Sequence, residues 1–109
     1  MIRHISIFTF LDEPSNGRTK AENIRIVREY LEKVPEQFPA MKNQVVGVSV
    51  GGAPALPDDA PVMNGDLVQT ADYDTPEDAA SYPPSKVHMD LVELTAPMLK
   101  KVTVIDFEM

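Results

Sequence analysis

Residues 2–11 alternate along their whole length, and neither face of the strand they form is polar enough to be left to water. Ile2, His4, Ser6, Phe8 and Phe10 lie on one side, and Ile5, Ile7, Thr9 and Leu11 on the other. A strand covered on both sides sits inside a sheet, so the rest of the chain has to supply neighbouring strands and a layer above and below. The odd-numbered side is uniformly apolar and is expected to take a helix layer. The even-numbered side mixes aromatic rings with a histidine and a serine, as the wall of a partly polar cavity would.

Residues 12–18 contain Pro14, Ser15, Asn16 and Gly17 and read as a loop. Thr19-Lys20-Ala21-Glu22 then has the Thr-x-x-Glu form of a capping box, in which side chains satisfy the first unpaired N–H groups of a helix. Ile24, Val27, Leu31 and Val34 follow at helical spacing, and Pro35 and Pro39 are expected to close the helix near Val34. Asn43 to Val50 predicts a second strand, and Asp66 to Tyr73 a third. Between them Gly51 to Gly65, rich in proline and glycine, reads as a long loop, either a lid or a solvated insertion. Thr75-Pro76-Glu77-Asp78 offers an N-cap, a proline at the first helical position and acidic residues in the first turn, which predicts a short helix to about Tyr82. Pro83-Pro84 ends it, Ser85 caps a second piece carrying Val87, Leu91, Val92 and Leu94, and Lys101 to Met109 alternates as a last strand.

The order strand, helix, strand, strand, broken helix, strand is the split βαβ pattern of a ferredoxin-like α+β domain, and 109 residues suffice for one such domain spanning the chain. Four antiparallel strands with helices on one face leave the other face bare. That face is expected to show Ile2, Phe8 and Phe10, an apolar area that favours a homodimer.

Seventeen acidic against ten basic residues give a formal charge of −7, with no basic run to follow a phosphate backbone, so nucleic acid is not an expected partner. No stretch approaches the roughly 20 apolar residues of a membrane span. Met1-Ile2-Arg3-His4-Ile5 lacks the long apolar core of a secretory signal, and a cytoplasmic location is expected. Without cysteine there is no thiolate nucleophile and no thiolate metal site, and the histidine spacing matches no metal motif. No metal or organic cofactor is expected.

The chain has two imidazoles, the side chains best suited to move protons near neutral pH: His4 in the first strand and His88 just after the break at Tyr82-Pro83-Pro84. Placed near the start of the first strand and just after a helix break, the two could meet in one site, with Ser6 and Phe8 beside His4 on the same face of the strand. The residues alone leave a structural reading open beside this one. In it His88 packs at the helix break, the Tyr82 hydroxyl finds a backbone partner, His4 is bonded inside the sheet and Phe8 belongs to the core.

Several segments carry a resemblance. Met1-Ile2-Arg3-His4-Ile5, Phe38-Pro39-Ala40-Met41-Lys42, the stretch from Tyr73-Asp74-Thr75-Pro76-Glu77-Asp78 through Tyr82 to His88, and Val104-Ile105-Asp106-Phe107-Glu108 resemble the stress-responsive dimeric α/β-barrel family, often called Dabb. The resemblance implies two sheets facing each other across a dimer axis, helices outside and a cavity inside that the even-numbered face of the first strand would line. It also implies a small molecule held between sheet and helices. A plant polyketide cyclase of this family closes its substrate by an intramolecular aldol reaction without a cofactor, using a tyrosine and a histidine. Tyr82 and His88 match that pair at the same spacing, and His4 matches a further cavity histidine, so the resemblance implies His88 as base and Tyr82 as hydrogen-bond donor toward a small carbonyl compound, with His4, Ser6 and Phe8 in contact with it. The family's common His-Pro-x-His segment reads Ser85-Lys86-Val87-His88 here, and another cavity histidine is replaced by Leu67. Many members have no assigned activity, so a non-catalytic ligand-binding or stress-related structural dimer is the alternative, and related barrels that bind haem or oxidise aromatic substrates unaided imply a third, with a histidine on iron or positioning substrate.

Overall fold

The computed structural model describes residues 1–51 and 64–109. Among these the elements run β1 (Ile2–Phe10), α1 (Lys20–Gln37), β2 (Lys42–Val48), β3 (Leu67–Tyr73), α2 (Pro76–Ser81), α3 (Lys86–Thr95) and β4 (Leu99–Glu108), which is the ferredoxin-like order. Most of the loop expected over Gly51–Gly65 lies outside the described residues. Among those described, no helix is long and apolar enough to cross a membrane.

The four strands form one antiparallel sheet in the order β2-β3-β1-β4. β1 is therefore central, as its two apolar faces require. It pairs with β3 from Ile2 opposite Tyr73 to Phe8 opposite Leu67, and with β4 from Ile2 opposite Glu108 to Phe8 opposite Val102. The pairing with β4 shifts between Thr9 and Phe10, where the Phe10 N–H donates to the Asp66 carboxylate at 2.8 Å. β4 starts at Leu99, two residues before the alternation predicts, because Leu99 still pairs with Phe10 beyond that shift.

The side of β1 that meets the helices is the even-numbered one, not the odd-numbered one. Ile2, Phe8 and Phe10 are buried in one cluster with Val27, Leu31 and Val34 of α1 and Val87 and Leu91 of α3. They are therefore not the bare face that the sequence led us to expect. The uncovered face carries Ile5, Ile7, Val45, Ile105 and Phe107, and Ile7 at 38%, Val45 at 62% and Ile105 at 56% exposure show how little of it is buried within one chain. Alternation alone does not say which of two apolar faces a helix will choose. Here the helices take the side with the larger rings, and the polar His4 and Ser6 go with them because each finds a partner there.

The capping box of α1 forms as the spacing requires: Glu22 N–H donates to Thr19 Oγ1 at 3.1 Å and Thr19 N–H to Glu22 Oε1 at 3.2 Å. The helix does not stop at Pro35 but continues to Gln37. A proline inside a helix removes one N–H and leaves the carbonyl four residues earlier without a partner. That carbonyl belongs to Leu31, and the Gln44 amide donates to it at 2.8 Å from β2. The Gln44 side-chain oxygen in turn accepts from Gln69 at 2.6 Å, so the proline is accommodated by a side-chain relay across α1, β2 and β3.

Gln44→Ala removes both bonds and strands a carbonyl in a closely packed helix. We expect a loss of about 1–3 kcal/mol in denaturant unfolding. A change within about 0.5 kcal/mol, the ordinary range for a surface substitution, would show that the relay carries no weight.

Candidate active site

The break between α2 and α3 exists to satisfy two adjacent prolines, and it is what sets His88 in place. Pro83 and Pro84 end α2, Ser85 N–H donates to the Tyr82 carbonyl at 2.9 Å, and Ser85 Oγ accepts from His88 N–H at 3.3 Å as the N-cap of α3. The His88 ring then turns back, with Nδ1 2.9 Å from the Pro83 carbonyl oxygen. A carbonyl only accepts, so Nδ1 carries the proton and Nε2 of the neutral ring keeps its lone pair.

The His88 ring stands against Tyr82, with centroids 4.8 Å apart, and Tyr82 in turn meets His4 at 6.1 Å. Tyr82 is buried, and its hydroxyl has no protein partner among the described residues. The Tyr73 hydroxyl, buried nearby, shares that condition. Burial pushes the Tyr82 hydroxyl up to about 12, with a further rise from Tyr30, against a smaller downward pull from Gln69, to which it is not hydrogen-bonded in this geometry. At neutral pH Tyr82 is therefore a protonated donor with no protein acceptor among the described residues. A buried polar group without a partner is expensive, and a water or a ligand in the adjoining cavity would complete it.

His4 is held by side chains. Its Nδ1 lies 2.6 Å from Asp106 Oδ1, and Ser6 Oγ lies 2.7 Å from its Nε2. The strand geometry makes this possible: His4 and Ser6 are two residues apart on one face of β1, and Asp106 sits directly opposite His4 in β4.

These groups share one cavity of about 290 Å³ between the sheet and the helices. His4, Ser6, Phe8 and Gln69 form its floor, and Tyr82 and His88 form one wall. Leu91 of α3 and Val102, Val104 and Asp106 of β4 complete it, so the lining is largely apolar with a few convergent polar groups. All five residues singled out from the sequence, His4, Ser6, Phe8, Tyr82 and His88, border this cavity, which lies between sheet and helices of one chain and opens past the exposed Val102 and Val104 of β4. Leu67, which stands where a family histidine is missing, is instead buried in the core beside Phe8.

Asp106 and Gln69 are the polar residues that sequence reasoning passed over. The signal for Asp106 was present as an acidic residue in an otherwise apolar alternation, but only the β1–β4 register reveals that it faces His4. Gln69 is likewise a polar residue at an inward position of β3, opposite Ser6.

The profile of the stress responsive A/B barrel domain, Dabb, matches residues 2–109. The chain belongs to the Dabb family. Solved structures agree with this Dabb fold. A dimeric ferredoxin-like protein of unknown function from Bacteroides fragilis superposes with a TM-score of 0.77 at 17% identity, covering 99% of this chain and 95% of that one. A second dimeric ferredoxin-like protein of unknown function, from Thermobifida fusca, gives 0.74 at 26% identity over 99% and 90%. The hydroxynitrile lyase from Passiflora edulis gives 0.72 at 18% identity over 97% and 90%. No curated protein matches this Dabb chain in sequence.

Proposed function

We propose that this Dabb chain binds a small carbonyl compound in the cavity and moves protons on it, with His88 as base and Tyr82 as donor. The observation that carries this reading is a histidine held through Nδ1 and a buried tyrosine hydroxyl with no protein partner among the described residues, ring to ring at 4.8 Å in one cavity. Nε2 of His88 removes a proton from a carbon next to the carbonyl or from a hydroxyl. The oxygen that gains negative charge is met by the Tyr82 O–H, in surroundings where few other groups stabilise it. Both roles are filled by side chains, so the reaction needs no cofactor. An intramolecular aldol closure, as in a polyketide cyclase-like lyase, is one reaction of this kind. A structural neighbour named as a hydroxynitrile lyase supports an enzymatic rather than a purely structural role. The cavity volume lies at the lower end of ligand-binding sites, which favours a compact substrate.

Deuterium exchange at the carbon between the carbonyls of a small β-diketone, followed by NMR, tests the acid/base reading without knowledge of the natural substrate. His88→Ala is expected to lower the protein-catalysed exchange by about 10²–10⁴-fold, the usual contribution of a general base. Equal exchange in the variant would reduce the cavity to a binding site.

We further propose that the chain works as a homodimer through the uncovered face of the sheet. The supporting facts are the exposed Ile7, Val45, Ile105 and Phe107 on that face and the dimeric state of the neighbours from Bacteroides fragilis and Thermobifida fusca. Sedimentation velocity is expected to give a dimer for the native chain and a shift to monomer for Ile105→Lys, which places a charge on that face beside Ile5 of the neighbouring strand. A native monomer, or a variant that dimerises as tightly, would overturn the assignment.

A further inference from the structure

The His88 and Tyr82 pair does not account for the other polar group of the cavity floor. Asp106, His4 and Ser6 form an unbroken line of two short hydrogen bonds, 2.6 Å and 2.7 Å. Their proton arrangement follows from chemistry. The Asp106 carboxylate only accepts, so the neutral His4 ring carries its proton on Nδ1 and offers the Nε2 lone pair to Ser6. Ser6 O–H therefore donates to Nε2. A hydroxyl bonded to an imidazole, which is itself oriented by a carboxylate, is the arrangement of nucleophile, base and orienting group that recurs on unrelated folds. His4 and Ser6 are buried yet border the cavity, so a ligand seated there would meet this pair of side chains.

We infer that Ser6 is a nucleophile toward short, apolar acyl esters. This inference shares the cavity with the reading above but requires neither His88 nor carbon-acid chemistry. Ser6 Oγ bonds to the ester carbonyl carbon while its proton passes to His4 Nε2, and the carbonyl π pair moves onto oxygen. The Tyr82 hydroxyl, buried and without a protein acceptor, is the donor at hand for that oxyanion. Collapse of the adduct breaks the bond to the alcohol oxygen, which leaves with the proton from His4 and gives an acyl ester on Ser6. Water, losing a proton to His4, repeats the sequence and releases the carboxylic acid, so the sum is ester plus water to acid plus alcohol. Phe8, Leu91, Val102 and Val104 line the space where the acyl chain would lie, and a volume of about 290 Å³ suits a short one. Asp106 acts through His4 and is a positioning residue, and its side chain is 48% exposed, so solvent weakens its hold on the ring.

The test is to treat the full chain with p-nitrophenyl acetate and, separately, with a small alkyl fluorophosphonate, and to read intact mass and the modified peptide. The expected result is one acetyl or phosphonyl group per chain on Ser6, absent in Ser6→Ala. Asp106→Asn, at a half-exposed side chain, is expected to slow Ser6 labelling in the folded chain by about 10-fold or more, short of the roughly 10⁴-fold of a buried triad carboxylate, through loss of the correct His4 tautomer. His4→Gln is expected to do at least as much. Absence of label on Ser6 in the native chain overturns the inference, and so does labelling of Ser6 at the native rate in Asp106→Asn. Because the readout is a mass on one serine, it fails or succeeds independently of deuterium exchange at a carbon acid.

Discussion

The structure turns on one constraint: the central strand places a histidine and a serine on the side that the helices cover. Polar atoms buried there must be bonded or must face a cavity. His4 meets this by reaching Asp106 across the β1–β4 ladder and Ser6 along its own strand. Those contacts hold only in the observed register, since a slip of one residue between β1 and β4 would turn Asp106 to the opposite face. The polar line therefore both occupies the cavity floor and specifies the pairing of an edge strand that is otherwise exposed.

The helix layer answers a second constraint, that of its prolines. Pro35 would leave an orphan carbonyl in α1, which Gln44 takes up, and Gln44 in turn fixes Gln69 at the cavity floor. Pro83 and Pro84 break the second helical segment, and the Pro83 carbonyl so released orients His88. In both cases a local backbone defect is satisfied by a side chain, and the side chain so placed is coupled to the cavity. The Tyr82 and Tyr73 hydroxyls are the exceptions, because both are buried and find no protein partner among the described residues.

Element order, the capping box at Thr19 and the break at Tyr82-Pro83-Pro84 were legible in the sequence because each depends on neighbours within a few residues. Family membership was legible in the same way, from short motifs in order along the chain. The face of β1 that meets the helices was not, since Ile5 and Ile7 make as good an apolar row as Phe8 and Phe10, and only the packing of α1 and α3 decides between them. Asp106 was missed for a related reason. Its meaning comes from a partner more than a hundred positions away, |i−j|=102, and no local pattern carries that information. The extension of α1 past Pro35 likewise depends on a glutamine in the following strand.

The account rests on both imidazoles being held through Nδ1, with the Nε2 atoms left to face the cavity chemistry. Long-range ¹H–¹⁵N NMR of the two histidines in their neutral form measures this directly. The proton is expected on Nδ1 in His4 and in His88. A proton on Nε2 in His88 would remove its free base, and one on Nε2 in His4 would mean that the ring neither donates to Asp106 nor accepts from Ser6, contradicting the site as described.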